Sequence, residues 1–142
     1  DSENSHLLFV DSDVIPPIDL IPRMLKHDKL IVSGWYLERS MQGHPVVYHK
    51  EKDGWQKYTV EELTKSQFQL VAVDAVGAGC LMIKREVFDI LGTSEPFMET
   101  SHVNNYMFTG EDLYFSELVK KEGLQIYVDP TIRCGHHHWV CL

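Results

Sequence analysis

The sequence predicts an α/β domain in which a mixed sheet is flanked by helices. Three stretches indicate this class: an apolar strand at 6–10, the clearest helix of the chain at 111–122, and a second strand at 124–130. Strands that alternate with helices favour a sheet covered by helices. The 142 residues contain no internal repeat or low-complexity linker, so we expect one domain that spans 1–142.

Caps and turn residues predict the elements of the first half of the chain. These elements are a helix capped by Asp19 and ending near His27, a strand at 29–33, a hairpin or flap around 46–48, and a helical turn after Thr59. Pro22 is tolerated in the helix because its missing N–H lies in the first turn. Thr59 and Glu62 have the spacing of a capping box.

The second half is predicted to contain a β region at 67–84, a helix at 85–91, a loop at 93–110, the helix at 111–122, and the strand at 124–130. Gly92 is expected to end the first of these helices in a left-handed conformation, and Gly123 is expected to end the helix at 111–122. Pro130 is expected to end the last strand. Gly77 and Gly79 mark either the close approach of a backbone or ligand, or tight packing against a helix. A loop as long as 93–110 is expected to border a functional cleft.

Composition and charge indicate which kinds of binding partner and which cellular location to expect. The net charge of −8 and the pI of about 5.4 predict no nucleic-acid partner, although small phosphate-bearing ligands remain compatible if a cation mediates the contact. No apolar run has the length of a transmembrane segment, and the first residues do not resemble a signal peptide, so we expect a cytosolic protein. Cys80, Cys134 and Cys141 have neither disulfide-framework nor zinc-site spacing and are expected to be reduced.

Asp11 and Asp13 are the first candidate site residues. They follow the apolar run at 6–10, which suggests a strand buried on both faces of a parallel sheet. In open α/β sheets the ligand crevice lies beyond the carboxyl ends of the strands, where these two carboxylates fall. Two such groups can share a divalent cation that in turn accepts phosphate oxygens. The alternative is a solvated acidic turn with no ligand.

Two further groups of residues are candidates for catalysis or metal binding. Glu111 and Asp112 open the helix at 111–122, and a carboxylate there could accept a proton from a substrate hydroxyl, although both residues also suit a first helical turn. His136, at the start of the triplet 136–138, is the best-placed imidazole to join Asp11 and Asp13. A mixed shell of carboxylate and imidazole suits manganese or another borderline divalent ion. The alternative is an exposed polar end of the chain.

Four segments in order resemble glycosyltransferases of the GT-A fold, especially the family-2-like branch. They are the strand running into Asp-x-Asp at 7–13, the strand and helix start at 73–88, the Glu-Asp motif opening a helix at 110–115, and the strand ending in Asp-Pro with the later Gly-His pair at 127–136. The resemblance covers nearly the whole chain, from His6 to His138. It implies a partial GT-A, Rossmann-like domain with a mixed sheet flanked by helices.

The resemblance also implies roles for the candidate residues. Asp11, Asp13 and His136 would hold a divalent cation, Mn²⁺ or Mg²⁺, on the diphosphate of a nucleotide-sugar donor. Asp112 would deprotonate a hydroxyl acceptor, and Glu111 would help to orient that acceptor. The implied reaction is direct displacement at the anomeric carbon with inversion, assisted by the base and the cation.

The chain departs from the family in one respect. Family members place a nucleotide-binding βαβ half before the Asp-x-Asp strand, whereas five residues precede His6 here, so the chain resembles the later two-thirds of a catalytic domain. Its sheet is therefore expected to expose a strand edge, and exposed edges recruit partners. We expect a homo-oligomer.

Two other functions compete with sugar transfer. One is a non-catalytic remnant that oligomerises or binds a metal or glycan without turnover. The other is a nucleotidyltransferase or phosphohydrolase that uses the same acidic pair, which the Glu111-Asp112 helix argues against because that chemistry has no evident need for a base there.

Overall fold

A computed structural model describes residues 4–40, 42–66, 68–97, 100–101 and 108–137. Within them the strands are β1 (His6–Val10), β2 (Val14–Ile15), β3 (Ile31–Trp35), β4 (Val47–Glu51), β5 (Gly54–Lys57), β6 (Val71–Val73), β7 (Ala75–Val76), β8 (Cys80–Lys84), β9 (Thr100–Ser101), β10 (Phe108–Thr109), β11 (Ile126–Arg133) and β12 (Gly135–His136). The helices are α1 (Leu20–Lys26), α2 (Val60–Thr64), α3 (Arg85–Leu91) and α4 (Glu111–Lys121). Within the described ranges, no helix is both long and apolar enough to cross a membrane.

The predicted mixed α/β sheet is confirmed. Five strands lie in the order β1-β8-β3-β11-β6, and the β3–β11 pair is parallel while the other pairs are antiparallel. A smaller three-stranded sheet, in the order β5-β4-β7, contains the predicted hairpin. The strand directions place the carboxyl ends of β1, β3 and β11 at one edge of the main sheet.

The core lies on both faces of the main sheet because the side chains of β3 and β8 alternate. Ile31 and Trp35 of β3 belong to a cluster that also contains residues from α2, α3, α4 and the smaller sheet. Val32 faces the other way, into a cluster with Leu20 and Met24 of α1. Burial on both faces is therefore a property of the central strands, all five residues of β3 being buried.

The prediction that β1 is buried on both faces of a parallel sheet is wrong. β1 is an edge strand of the main sheet and pairs antiparallel with β8. Leu7 and Val10 are 44% and 41% exposed. An edge strand has a neighbour on one side only, so its apolar run is only partly covered by the described residues.

The prediction that Pro130 ends the last strand is also wrong, because β11 continues to Arg133. The pairing with β3 shifts register between Val128 and Arg133, so the missing N–H of the proline falls within an irregular segment. The carbonyl of Pro130 accepts a hydrogen bond from Trp35 Nε1 at 2.9 Å, and the N–H of Thr131 donates to Asp129 Oδ1 at 2.8 Å. Hydrogen bonds to side chains thus replace some of the backbone hydrogen bonds that are missing between the two strands.

Most local signals at helix ends are confirmed, although Asp19 stands at the N-cap position of α1 without a side-chain capping bond. Thr59 and Glu62 form both bonds of the capping box, and Gly92 and Gly123 adopt left-handed conformations with φ of 61° and 71° after α3 and α4. The predicted strand at 29–33 begins and ends two residues later, at Ile31 and Trp35. The predicted β region at 67–84 is divided into β6, β7 and β8.

Candidate functional site

The candidate site lies at the edge where β1, β3 and β11 end. Asp11 and Asp13 follow β1, Tyr36 and Arg39 follow β3, and His136 follows β11 in β12. The carboxyl ends of three strands that run in the same direction therefore bring together residues that are far apart in sequence. This is the edge of an α/β sheet at which ligand crevices form.

Asp11 is held at the beginning of the turn that contains both aspartates. Its N–H donates to the carbonyl of Gly79 at 3.1 Å, and its own carbonyl accepts from the N–H of Val14 at 3.0 Å. The Asp11 carboxylate is exposed and lies against the Cα of Gly79, where an added Cβ would be 2.8 Å from Asp11 Oδ2. A side chain at position 79 would therefore displace this carboxylate.

Asp13 and His136 are brought together by the pairing of β2 with β12. The N–H of His137 donates to the carbonyl of Asp13 at 2.8 Å, and Asp13 Oδ2 lies 3.6 Å from His136 Nε2. His136 Nδ1 lies 2.7 Å from the carbonyl of Leu37, which can only accept, so Nδ1 carries the hydrogen. Nε2 therefore carries a lone pair, as in imidazoles whose second nitrogen binds a metal.

Arg39 completes this cluster. Its guanidinium forms an ion pair with Asp13, and its Nε donates to His136 Nε2 at 3.3 Å. We name Asp13, Arg39 and His136 the Asp13 group. A cationic side chain thus occupies the space between the carboxylate and the imidazole. Among the described residues, no three histidine, cysteine or acidic side chains come close enough to hold a metal ion together.

Asp112 lies in the first turn of α4, next to the strand end that holds Asp11. Its carboxylate is half-buried and accepts a hydrogen bond from the N–H of Ala78. Burial raises the pKa of Asp112 from 3.8 to about 6; the Ala78 hydrogen bond opposes this rise, and the charges of Glu111 and Asp11 add to it. The carboxyl group therefore titrates close to neutral pH.

Glu111 precedes Asp112 at the start of α4 and is exposed. Gly110 is the N-cap of α4 and offers no side chain to cap the helix. The negative charges of the first turn therefore stabilise this end, because they interact favourably with the helix dipole. Glu111 acts on the site electrostatically, because its negative charge raises the pKa of Asp112.

Tyr36 is a site residue that the sequence did not reveal. Its hydroxyl accepts a hydrogen bond from the N–H of Gly79 at 3.1 Å. An added Cβ on Gly77 or Gly79 would lie 2.4 Å or 2.6 Å from this hydroxyl, so the two glycines form the slot that holds it. Burial raises the pKa of Tyr36 well above its usual value, and the charges of Asp112 and Asp11 contribute. The two glycines thus mark tight packing, but against a tyrosine instead of a helix.

The site consists of two clusters joined by Tyr36. Asp11, Asp112 and the Tyr36 hydroxyl form what we name the Asp112 group, since the charges of both aspartates raise the pKa of Tyr36 and the charge of Asp11 raises the pKa of Asp112. The Tyr36 ring meets the imidazole of His136 edge-on, with ring centroids 5.3 Å apart. The five residues predicted from sequence therefore lie at one edge, but the two aspartates of the Asp-x-Asp motif contact different partners. His138 and the predicted loop residues 102–107 lie outside the described residues.

No known family profile and no curated protein sequence matches the chain. Among solved structures, A197 from STIV matches with a TM-score of 0.58 and 21% sequence identity over 96% of this chain and 60% of that one. A crystal structure of GalNAc-T7 with UDP, GalNAc and Mn²⁺ matches with a TM-score of 0.62 and 14% identity over 96% of this chain and 28% of that one. The chain thus spans less than two-thirds of either protein. These likenesses show a GT-A-like fold.

Proposed function

We propose that the chain is a glycosyltransferase, or part of the catalytic domain of one, that transfers a sugar from a nucleotide-sugar donor to a hydroxyl acceptor. The observation that carries the proposal is the meeting of Asp13, His136 and Asp112 at one edge of a GT-A-like sheet. The structure of GalNAc-T7, which contains UDP and Mn²⁺, supports the donor class. A cytosolic location stays a prediction of the sequence.

We propose that Asp13 and His136 would hold a divalent cation, Mn²⁺ or Mg²⁺. Asp13 supplies an oxygen and His136 a nitrogen lone pair fixed by the Leu37 carbonyl, and this mixed ligand set suits Mn²⁺ better than Mg²⁺. The contacts of Arg39 with both side chains place positive charge between them, which supports a cation site there. We propose Asp11, from the same turn, as the third ligand. When bound, the cation would stabilise the charge that develops on the departing diphosphate.

Asp112 is proposed as the general base. A base works best when its pKa lies near the working pH, and a pKa of about 6 leaves most of this carboxyl ionised at neutral pH while it retains affinity for a proton. The hydrogen bond from Ala78 fixes one side of the carboxylate. The exposed Glu111 beside it is proposed to orient the acceptor. Inversion at the anomeric carbon is inferred from the resemblance of the sequence to family-2-like enzymes.

Calorimetric titration with Mn²⁺, with and without a nucleoside diphosphate, tests the proposal. The Asp13→Ala and His136→Ala variants should each bind Mn²⁺ at least about tenfold more weakly, because each removes a ligand. Asp53→Ala, at an exposed position in the turn between β4 and β5, removes the same charge away from the site and should bind normally. The Arg39→Gln variant should bind Mn²⁺ more tightly, since it removes a competing cation.

Equal Mn²⁺ affinity in Asp13→Ala and Asp53→Ala would contradict the cation site. A second candidate function is a non-catalytic glycosyltransferase-like protein that oligomerises or binds a cation or glycan without turnover. It is favoured by the absence of a close three-ligand cluster among the described residues. Release of nucleotide from nucleotide sugars by the native chain, lost in Asp112→Asn, would separate the two functions in favour of sugar transfer.

A further inference from the structure

A cleft of about 390 Å³ borders the Asp13 group. Leu37, Arg133, Cys134, Gly135 and His136 line it. Its volume falls within the range of about 300–1,000 Å³ that is usual for sites of small ligands. No carboxylate lies among the described residues that line it.

The guanidinium of Arg133 lies over the ring of Trp35. Its Cζ lies 5.3 Å from the ring centroid of Trp35, the residue that Arg133 pairs with between β11 and β3. Trp35 is 2% exposed and is itself fixed by the hydrogen bond to the Pro130 carbonyl. An arginine that lies over an aromatic ring leaves the N–H groups at the edge of its guanidinium available to an anion.

The N–H groups of Arg133 have no protein partner in the described part of the chain. No hydrogen bond or ion pair engages this guanidinium there, whereas Arg39 is paired with Asp13. Arg133 is therefore an exposed, preoriented cation beside His136. Planar bidentate contacts to phosphate or carboxylate are the interactions for which such a side chain is suited.

We propose that Arg133 binds a phosphate of the leaving group, in the cleft next to His136. The choice of a phosphate rests on the proposed function. Asp112, the proposed base, belongs to the Asp112 group, which lies at the hydroxyl end of Tyr36. The cleft is lined by His136, whose imidazole contacts the ring of Tyr36. The group that departs from the sugar lies away from the base in a direct displacement, so the phosphates belong on the His136 side.

Inorganic pyrophosphate in the presence of a chelator tests this site without any metal. In ¹⁵N-labelled protein, titration should shift the Nε–H signal of Arg133 and the indole N–H signal of Trp35, and the shifts give a dissociation constant. Arg133→Gln should weaken binding about tenfold, the scale expected for loss of a charge-assisted bidentate contact. Arg133→Lys keeps the charge but not the planar fork, and should fall between the native chain and Arg133→Gln.

Lys52→Gln is the matched control, because it removes one exposed positive charge in the turn between β4 and β5. It should change the affinity less than about twofold, as expected of a distant, screened charge. The proposal is overturned if the native chain does not bind pyrophosphate, or if Arg133→Gln and Lys52→Gln weaken binding equally.

Repeating the titration with Mg²⁺ separates this proposal from the proposed function. Binding that depends on Arg133 but is indifferent to Mg²⁺ supports the phosphate site and counts against the cation-dependent transferase. Binding that depends on Mg²⁺ and Asp13 but is unchanged in Arg133→Gln overturns the phosphate site and leaves the transferase standing.

Discussion

Replacing Asp112 by asparagine should stabilise the protein at neutral pH. The ionised carboxylate is half-buried and close to the charges of Glu111 and Asp11. Asp112 is therefore harder to ionise in the folded protein than in the unfolded chain. Asparagine has the same shape, cannot ionise, and keeps an oxygen that can accept the hydrogen bond from Ala78. The substitution therefore removes the charge while preserving the local contacts.

The size of the effect follows from the pKa of Asp112 in the two states. A pKa of about 6 in the folded protein against 3.8 in the unfolded chain corresponds to about 3 kcal/mol, since each tenfold change in proton affinity corresponds to about 1.4 kcal/mol. Between these values the folded state binds more protons than the unfolded state, so stability falls as pH rises. The full loss of stability from ionising Asp112 is present above the pKa of the folded state, and it is absent below the pKa of the unfolded state.

Urea unfolding at pH 3.5 and pH 7.5 measures this difference. Asp112→Asn should match the native chain at pH 3.5 and be more stable by about 2–3 kcal/mol at pH 7.5, with part of the 3 kcal/mol offset because a neutral amide accepts a weaker hydrogen bond than a carboxylate. Glu111→Gln, the exposed neighbour, is the control and should gain much less. A native chain more stable than Asp112→Asn at pH 7.5, or a difference that does not change with pH, would refute the reasoning.

Two further predictions concern Tyr36 and β1. Tyr36→Phe leaves the N–H of Gly79 without its acceptor and should lower the unfolding free energy by about 1–3 kcal/mol in urea, whereas Tyr48→Phe, whose hydroxyl has no hydrogen bond within the described residues, should cost less. The uncovered edge of β1 should cause self-association, which sedimentation velocity would detect and which Leu7→Lys should reduce; a monomer at high concentration would contradict it.

The features that the sequence predicted well are those decided within a few residues. Thr59 with Glu62 and the glycines after α3 and α4 act through bonds and backbone angles of their own turn, so tertiary contacts do not alter them. The apolar run of β1 is different. Its place at the edge of the sheet is set by pairing with β8, some 70 residues later in the chain. An apolar strand pattern alone does not distinguish an edge strand from a central one.

The same distinction applies to the site. Asp11, Asp13, Asp112 and His136 could be proposed from the sequence because acidic groups after a strand or at the start of a helix, and an imidazole after glycine, are visible as residue types. Tyr36, Arg39 and Arg133 were missed because their importance comes from partners at distant positions, such as Gly79 for the tyrosine and Trp35 for Arg133. The one sequence signal was the Gly77–Gly79 pair, which indicated a close approach without identifying what approaches.

The division of the Asp-x-Asp motif between two clusters has a chemical consequence. Asp13 forms an ion pair with Arg39 and lies beside the His136 imidazole, so its position suits a carboxylate that faces a cation. Asp112 has no cationic partner among the described residues and responds to burial by titrating near neutral pH. Two carboxyl groups whose surroundings differ in this way can perform different tasks at the same pH. Tyr36 lies between the two clusters, with its hydroxyl in one and its ring against His136 of the other. A single cluster of acidic groups would lose that difference.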